Sequence, residues 1–301
     1  MPNFSKTEKI ILDTLKKNAY FNYEGNPYRL IKFDKPTTST GEPKTDIYIL
    51  SKTVHGKNFE FKISVKQSNA DFLENKINAE RASKLFGTKW QELIKSLTNS
   101  VKNDFTSQKL IYKAKQGKTE EGVFTLGWKF EILNKSATNR SAELPKEILR
   151  EVLTGENLNS TKKNAFIKGE TIQNSGVANF ILPNAEHIDL TNLNAIMGNI
   201  ITIDKYINNP INKVYFACKA LNYRSKYKPS PKWDGDRPLS VYVNWFEDNN
   251  KLHHKFCFDN PLNKKGNAVA KDLQAALASL NIVTTDDINC SNISDYSIVC
   301  Q

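Results

Sequence analysis

Two short stretches of this chain combine residue types that can do chemistry: Glu42-Pro43-Lys44-Thr45-Asp46 and Ser64-Val65-Lys66-Gln67-Ser68. Asp46 opens the apolar run Asp46-Ile-Tyr-Ile-Leu50, and Lys66 closes a second run that begins at Phe59. The second run alternates, with Phe59, Phe61, Ile63 and Val65 on one face and Glu60, Lys62, Ser64 and Lys66 on the other. His55-Gly56 lies midway, so the two runs read as a β-hairpin. A hairpin centred there pairs positions that sum to about 112, which sets Asp46 opposite Lys66. A carboxylate and an ammonium then meet at the open end of the hairpin, beside the polar loop Pro36-Thr-Thr-Ser-Thr-Gly41. Phosphodiester hydrolysis uses such parts. A carboxylate holds a hard divalent cation, typically Mg2+, through oxygen. The cation offsets charge on the phosphate and lowers the pKa of the attacking water. A lysine positions that water and stabilises the developing negative charge.

The elements that must position these residues follow from periodicity and punctuation. Ser5-Lys-Thr-Glu8 reads as a capping box, and Ile10, Ile11, Leu15 and Ala19 follow at helical spacing, so residues 5 to 19 are expected to be helical. A turn at Glu24-Gly-Asn-Pro27 leads to a strand from Tyr28 to Phe33. Helical character runs from Ser68 to Asn103 with a break at Gly87-Thr88, followed by a strand from Gly122 to Leu133 and a helix from Leu144 to Leu153. Strands are expected at Val214 to Leu221 and Leu239 to Phe246, the latter turning through Asp248-Asn-Asn250 into Leu252 to Phe258, with a helix from Asn267 to Leu280. The pattern is α/β: a mixed central sheet flanked by helices, with additional C-terminal α+β elements. The polar stretch Thr154 to Lys163 suggests a boundary, giving residues 1–155 as the core with the hairpin and residues 156–301 as a region that completes the sheet and reads a ligand. Trp90 and Trp128 read as core, and His253-His254, adjacent in a strand, point to opposite faces.

Pro43-Lys-Thr-Asp46, followed by a strand ending Ser64-x-Lys66, resembles the active site of the PD-(D/E)xK nuclease superfamily, type II restriction endonucleases in particular. The resemblance covers residues 5 to 86. It implies a restriction-endonuclease-like α/β core and hydrolysis of double-stranded DNA, with Mg2+ held by Asp46 and by the main-chain oxygen of Val65. Lys66 would orient the water and Ser64 would support the site. It further implies a homodimer matched to a two-fold symmetric DNA site and a companion DNA methyltransferase. Two departures stand out. Lys44 and Thr45 separate Pro43 from Asp46, and Ser64 stands where the family carries an acid. The site is thus one carboxylate short, and Glu42, Asp71 and Glu74 are candidates to supply it. Glu60-Phe-Lys62, a literal E-x-K in the same strand, is the rival assignment to Ser64 and Lys66.

Bulk composition agrees with a nucleic-acid partner. Lys and Arg outnumber Asp and Glu by 43 to 32, for a net charge of +11, and such a surplus attracts polyanions. Beside Lys44, Gln67 and Ser68 at the hairpin, the segment from Asn222 to Pro238 interleaves Arg224, Lys226, Lys228, Lys232 and Arg237 with Tyr223, Tyr227 and Trp233. A loop of that composition can hold phosphates and reach guanine edges. Ser160 to Asn164 and Gln173-Asn-Ser175 are weaker candidates. No apolar run reaches the ~20 residues of a membrane helix. The four cysteines (Cys218, Cys257, Cys290, Cys300) form no C-x-x-C pair, so a reduced, cytoplasmic protein without structural zinc is expected. The competing functional classes are a structure-selective repair or junction nuclease of the same superfamily and a basic DNA-binding module without catalysis.

Overall fold

The computed structural model describes residues 4–39, 41–68, 72–75, 77–136, 140–225, 232–233 and 235–301. Helices and strands mix along the chain in an α/β arrangement with mixed sheets. Two compact units form, Met1–Leu73 with Leu144–Val214 and Glu74–Glu143 with Tyr215–Gln301. The units therefore do not part at 155/156. The polar stretch after Thr154 lies inside the first unit, where the Asn159 side chain caps the short helix Ser160–Lys163.

The first unit begins with α1 (Phe4–Lys16), β1 (Tyr20–Tyr23) and β2 (Asn26–Asp34). Between the two strands, Glu24 (φ 49°) and Gly25 (φ 76°) both take left-handed conformations, which suits a two-residue hairpin turn and draws Tyr20–Tyr23 into the sheet. β3 (Ile47–Thr53) and β4 (Asn58–Val65) form the expected hairpin. β4 then pairs in parallel with Phe180–Leu182, which pairs antiparallel with Ile201–Thr202, giving a six-stranded mixed sheet.

The hairpin register differs from the expected one by two residues. Ile47 pairs Ile63 and Lys52 pairs Asn58, so Asp46 comes level with Ser64, and Glu60 lies opposite Leu50 rather than Lys52. The turn closes at Thr53, whose N–H donates to Lys57 O at 2.9 Å, ahead of the point that His55-Gly56 suggests. A slip of two preserves parity, so every side chain keeps its expected face. On the inner face Phe59, Phe61, Ile63 and Val65 join Ile11 and Leu15 of α1 in one apolar cluster. Phe61 sits at its centre, with ring centroids of Tyr23, Phe59 and Phe180 at 5.2, 4.7 and 5.1 Å.

The second unit holds an antiparallel sheet in the order Lys232–Trp233, Tyr215–Arg224, Val123–Leu133, Val241–Asp248, Lys251–Cys257, covered by the helix Gly266–Ser279. Gly127 (φ 150°) lies where Val241–Asp248 joins Val123–Leu133; a Cβ there would meet Val241 O at 2.5 Å. Trp128 is buried as expected, whereas Trp90 is only half-buried at the start of a helix. His253 lies opposite Phe246 and stacks on it, and His254 lies opposite Trp245, so the two imidazoles have separate surroundings. All four cysteines are free. Among the described residues no helix is long and apolar enough to cross a membrane.

Phe61→Ala removes the centre of the aromatic cluster and should cost about 3–5 kcal/mol. A lowered urea midpoint at an unchanged m-value is the expected readout; an unshifted midpoint would contradict the packing described.

Candidate functional site

The loop before β3 is fixed by a segment far along the chain. Lys44 and Thr45 both donate their N–H to Gly176 O, at 3.0 and 3.3 Å, and Gly176 N–H donates to Lys163 O at 2.8 Å. A Cβ on Gly176 would stand 1.9 Å from Lys162 O and 3.0 Å from the Pro43 ring, so only glycine permits this approach. The loop delivers Asp46 to the sheet edge, where its N–H donates to Ile63 O at 2.9 Å. Its side chain accepts from Val65 N–H at 2.7 Å and from the Ser64 hydroxyl at 3.4 Å, both on Oδ2. No described residue donates to Oδ1.

At the end of β4 the backbone is held from the other side. Lys66 N–H donates to Leu182 O at 2.9 Å, and Lys66 O accepts from Ala185 N–H at 3.0 Å. Upstream, the Asn179 side chain bridges the same edge, accepting from Lys62 N–H at 2.8 Å and donating to Glu60 O at 3.0 Å. Within a strand the N–H and C=O of one residue project to the same edge. Since Val65 N–H is spent on Asp46, the Val65 carbonyl faces the Asp46 side as well.

A residue that local sequence patterns did not mark completes the cluster. Glu8, on α1, accepts an ion pair from Lys35, which directly follows β2. Burial pushes the Glu8 carboxyl up, against the hydrogen bond from Lys35, and the negative charges of Asp46 and Glu42 add to the rise. Burial likewise raises the Asp46 carboxyl above its ordinary range; Lys66, the Val65 N–H and Lys35 oppose this without cancelling it, and Glu42 reinforces it. Lys35 is desolvated, yet the bond and charge of Glu8, with Asp46 and Glu42 behind it, hold its ammonium above the usual value. Glu8, Glu42 and Asp46 thus share one electrostatic neighbourhood with Lys35 and Lys66. The residue preceding Glu8 is tied to the strand end, for the buried Gln67 amide donates to the buried Thr7 hydroxyl at 2.8 Å.

Other expected residues fall elsewhere. Gln67 faces the interior on Thr7, so a direct DNA contact from its side chain is replaced by a role in holding α1. Ser68 is exposed, with its N–H 2.7 Å from Glu186 and its hydroxyl on the same carboxylate. Lys44 is half-buried and Glu42 exposed. Glu60 and Lys62 form a group of their own, 4.0 Å apart, with Tyr48 donating to Glu60 and the Lys62 ammonium 3.3 Å from Asn174 O. Glu74 is bound by the Arg81 guanidinium at 2.7 and 3.1 Å. Asp71, Lys226, Tyr227 and Lys228 lie outside the described residues. On either side of residues 226–231, Tyr223 pairs antiparallel with Trp233 and Arg224 with Lys232. Arg237 borders a cavity of about 210 Å3 whose lining includes Asn75, Lys129 and Lys265.

The donor set around Asp46 consists of oxygens, which suits a hard cation such as Mg2+. Asp46 Oδ1 and the Val65 carbonyl are the atoms that could hold it. Among the described residues no group of three or more His, Cys, Asp and Glu side chains converges as a ligand cluster, so main-chain oxygen and water would complete the shell. Comparison with protein-family models, curated proteins and solved structures finds no match for this chain.

Because the folded-state pKa of Asp46 is raised, its ionised form costs stability once pH climbs through the ordinary carboxylate range. Asp46→Asn should therefore raise Tm of the metal-free protein at pH 7. The difference should vanish below pH 3.8, where both states are protonated. A lower Tm for the variant at pH 7 contradicts this. Gly176→Ala, by contrast, should lower stability and displace the Lys44–Thr45 loop, visible as faster amide exchange at Asp46.

Proposed function

We propose that this protein is a Mg2+-dependent endonuclease acting on double-stranded DNA, of the type II restriction kind. The observation that carries the reading is the meeting of Asp46, the Val65 carbonyl edge and Lys66 at the end of β4, where pairing with β3 stops while Phe180–Leu182 still holds the other edge. The mixed sheet carrying this hairpin, with α1 against it, agrees with the core that the sequence resemblance implies. The net charge of +11 supports a polyanionic substrate.

When bound, Mg2+ supplies charge neutralisation at the scissile phosphate. The chain's own groups do the rest. Asp46 and the Val65 carbonyl supply ligand oxygens, and the Val65 N–H and Ser64 hydroxyl keep the carboxylate turned so that Oδ1 faces outward. Lys66 extends from a backbone pinned on both its N–H and its C=O, on the face of β4 that also carries Ser64. There it orients the attacking water and stabilises negative charge gathering on the phosphate. The Glu60/Lys62 pair is already committed to Tyr48 and Asn174, which favours Ser64 and Lys66 as the working positions. Sequence readout falls to other surfaces, with the strand pair carrying Arg224 the first candidate.

The test is incubation of the protein, Asp46→Ala and Lys66→Ala with unmethylated phage DNA in Mg2+ and in EDTA. Discrete fragments from the parent protein in Mg2+ alone are expected, with Lys66→Ala slower by about 100-fold or more and Asp46→Ala inactive. Both variants should still bind DNA in Ca2+. Binding by the parent protein without any cleavage would favour the non-catalytic DNA-binding module.

A further inference from the structure

We infer that the cavity of about 210 Å3 beside Arg237 is a phosphate-binding pocket, with the Arg237 guanidinium as its anchor. Every residue that lines it belongs to the second unit, so the inference stands apart from the Asp46 cluster.

Two segments held side by side build one part of the pocket. Gly266 N–H donates to Arg237 O at 3.0 Å, and Leu239 N–H donates to Lys264 O at 3.0 Å. Between these bonds Pro238 bridges antiparallel to Lys265, which brings Arg237 and Lys265 to the same cavity. The pairing is anchored from below, since a Cβ on Gly266 would stand 2.4 Å from the Leu221 side chain. Asp236 Oδ1 accepts from Asn267 N–H at 3.1 Å, which fixes the residue before Arg237 and serves the start of the helix Gly266–Ser279. Ligand binding therefore falls to side chains and not to the helix end. Lys129 and Phe130 of the strand Val123–Leu133 and the amides Asn75 and Asn78 complete the polar lining. The Asn78 side-chain oxygen accepts from Arg81 N–H at 2.8 Å, which leaves its amide nitrogen to donate.

Charge and size select the ligand. Lys129 is matched by Glu131 at 2.8 Å, with both side chains largely buried. Asp236 stands 3.9 Å from the Lys265 ammonium. Among the described residues the Arg237 guanidinium meets no carboxylate, so one positive charge in the pocket is unmatched. A phosphodiester carries one negative charge. A guanidinium presents its donors as a planar fork that engages two oxygens of one phosphate. The cavity lies below the ~300–1,000 Å3 that encloses drug-sized ligands, and suits a single phosphate group with its waters. A phosphate of a nucleic-acid strand and free inorganic phosphate offer Arg237 the same oxygens, and the experiment tells them apart.

Two titrations of the full chain test this. One follows Tm against inorganic phosphate, with chloride holding ionic strength constant. The other follows duplex DNA affinity against salt in EDTA. Arg237→Gln should weaken phosphate binding, read from the Tm rise, by about tenfold or more. Arg237→Lys, which keeps the charge without the fork, should retain part of it. Lys251→Gln removes an equal charge from an exposed strand position and should respond to phosphate as the parent protein does. Phosphate also stabilises folded proteins by exclusion from their surface. The same phosphate response in Arg237→Gln and the parent protein, whether a rise in both or in neither, would therefore overturn the inference. Given the expected difference, the salt slope names the source. A slope lowered by about 0.9 in Arg237→Gln, the value of one phosphate contact, assigns the pocket to a nucleic-acid strand. An unchanged slope assigns it to free phosphate. Neither titration involves Mg2+ or cleavage, so failure of the nuclease reading and failure of this inference are separate results.

Discussion

The bond from Val65 N–H to the Asp46 carboxylate occupies the place of a ladder rung. Up to Ile63 the β4 edge bonds to β3 through main chain; at Val65 a side chain takes over. Two consequences follow from that substitution. It fixes the carboxylate through Oδ2, and it turns the Val65 carbonyl toward the same side. It also ends the pairing with β3, while the opposite edge of β4, already paired with Phe180–Leu182, carries on through Lys66 to Leu182 and Ala185. The candidate cluster therefore lies at a boundary where one edge of β4 has left its ladder and the other has not, and the burial that raises the Asp46 carboxyl is the cost of setting a charge there.

Electrostatics at the boundary is left unbalanced by the fold. Burial acts on Glu8 and Asp46 in the same direction, and Lys35 and Lys66 compensate only in part. The surrounding framework tolerates the strain because it is apolar and continuous. Phe21, Tyr23, Tyr28, Phe59, Phe61 and Phe180 form one connected group of rings under the sheet.

Much of this was legible in the sequence because hairpins are local. Strict alternation from Phe59 to Lys66 marks β4 and its two faces, and His55-Gly56 marks the turn. The two-residue register slip was not legible, because parity is the same in either register and only the turn hydrogen bonds decide between them. Glu8 stayed hidden for a different reason. Ser5-Lys-Thr-Glu8 has the form of a capping box, which accounts for a glutamate at that position without reference to Lys35 or Asp46. Gln67 shares the parity of Val65, so the alternation carried past Lys66 turns it inward, where it bonds Thr7. The division into units was opaque, since the parallel pairing of Phe180–Leu182 with β4 leaves no mark in periodicity.

That parallel pairing also governs when the cluster can exist. The strand that receives β4, the glycine that grips the Lys44–Thr45 loop and the carbonyl that pins Lys66 all lie between residues 176 and 182. Residues 74–143, which belong to the other unit, intervene in the chain. Contacts of such wide sequence separation raise contact order, and closing them is slow compared with forming the hairpin itself. During synthesis the chain emerges from its N-terminus, so α1, β3 and β4 are outside the ribosome long before their partners. The half-made protein carries Asp46 and Lys66 on the hairpin but lacks the contacts from Gly176 and Leu182. Assembly of the cluster is thereby postponed until well over half of the polypeptide has been made.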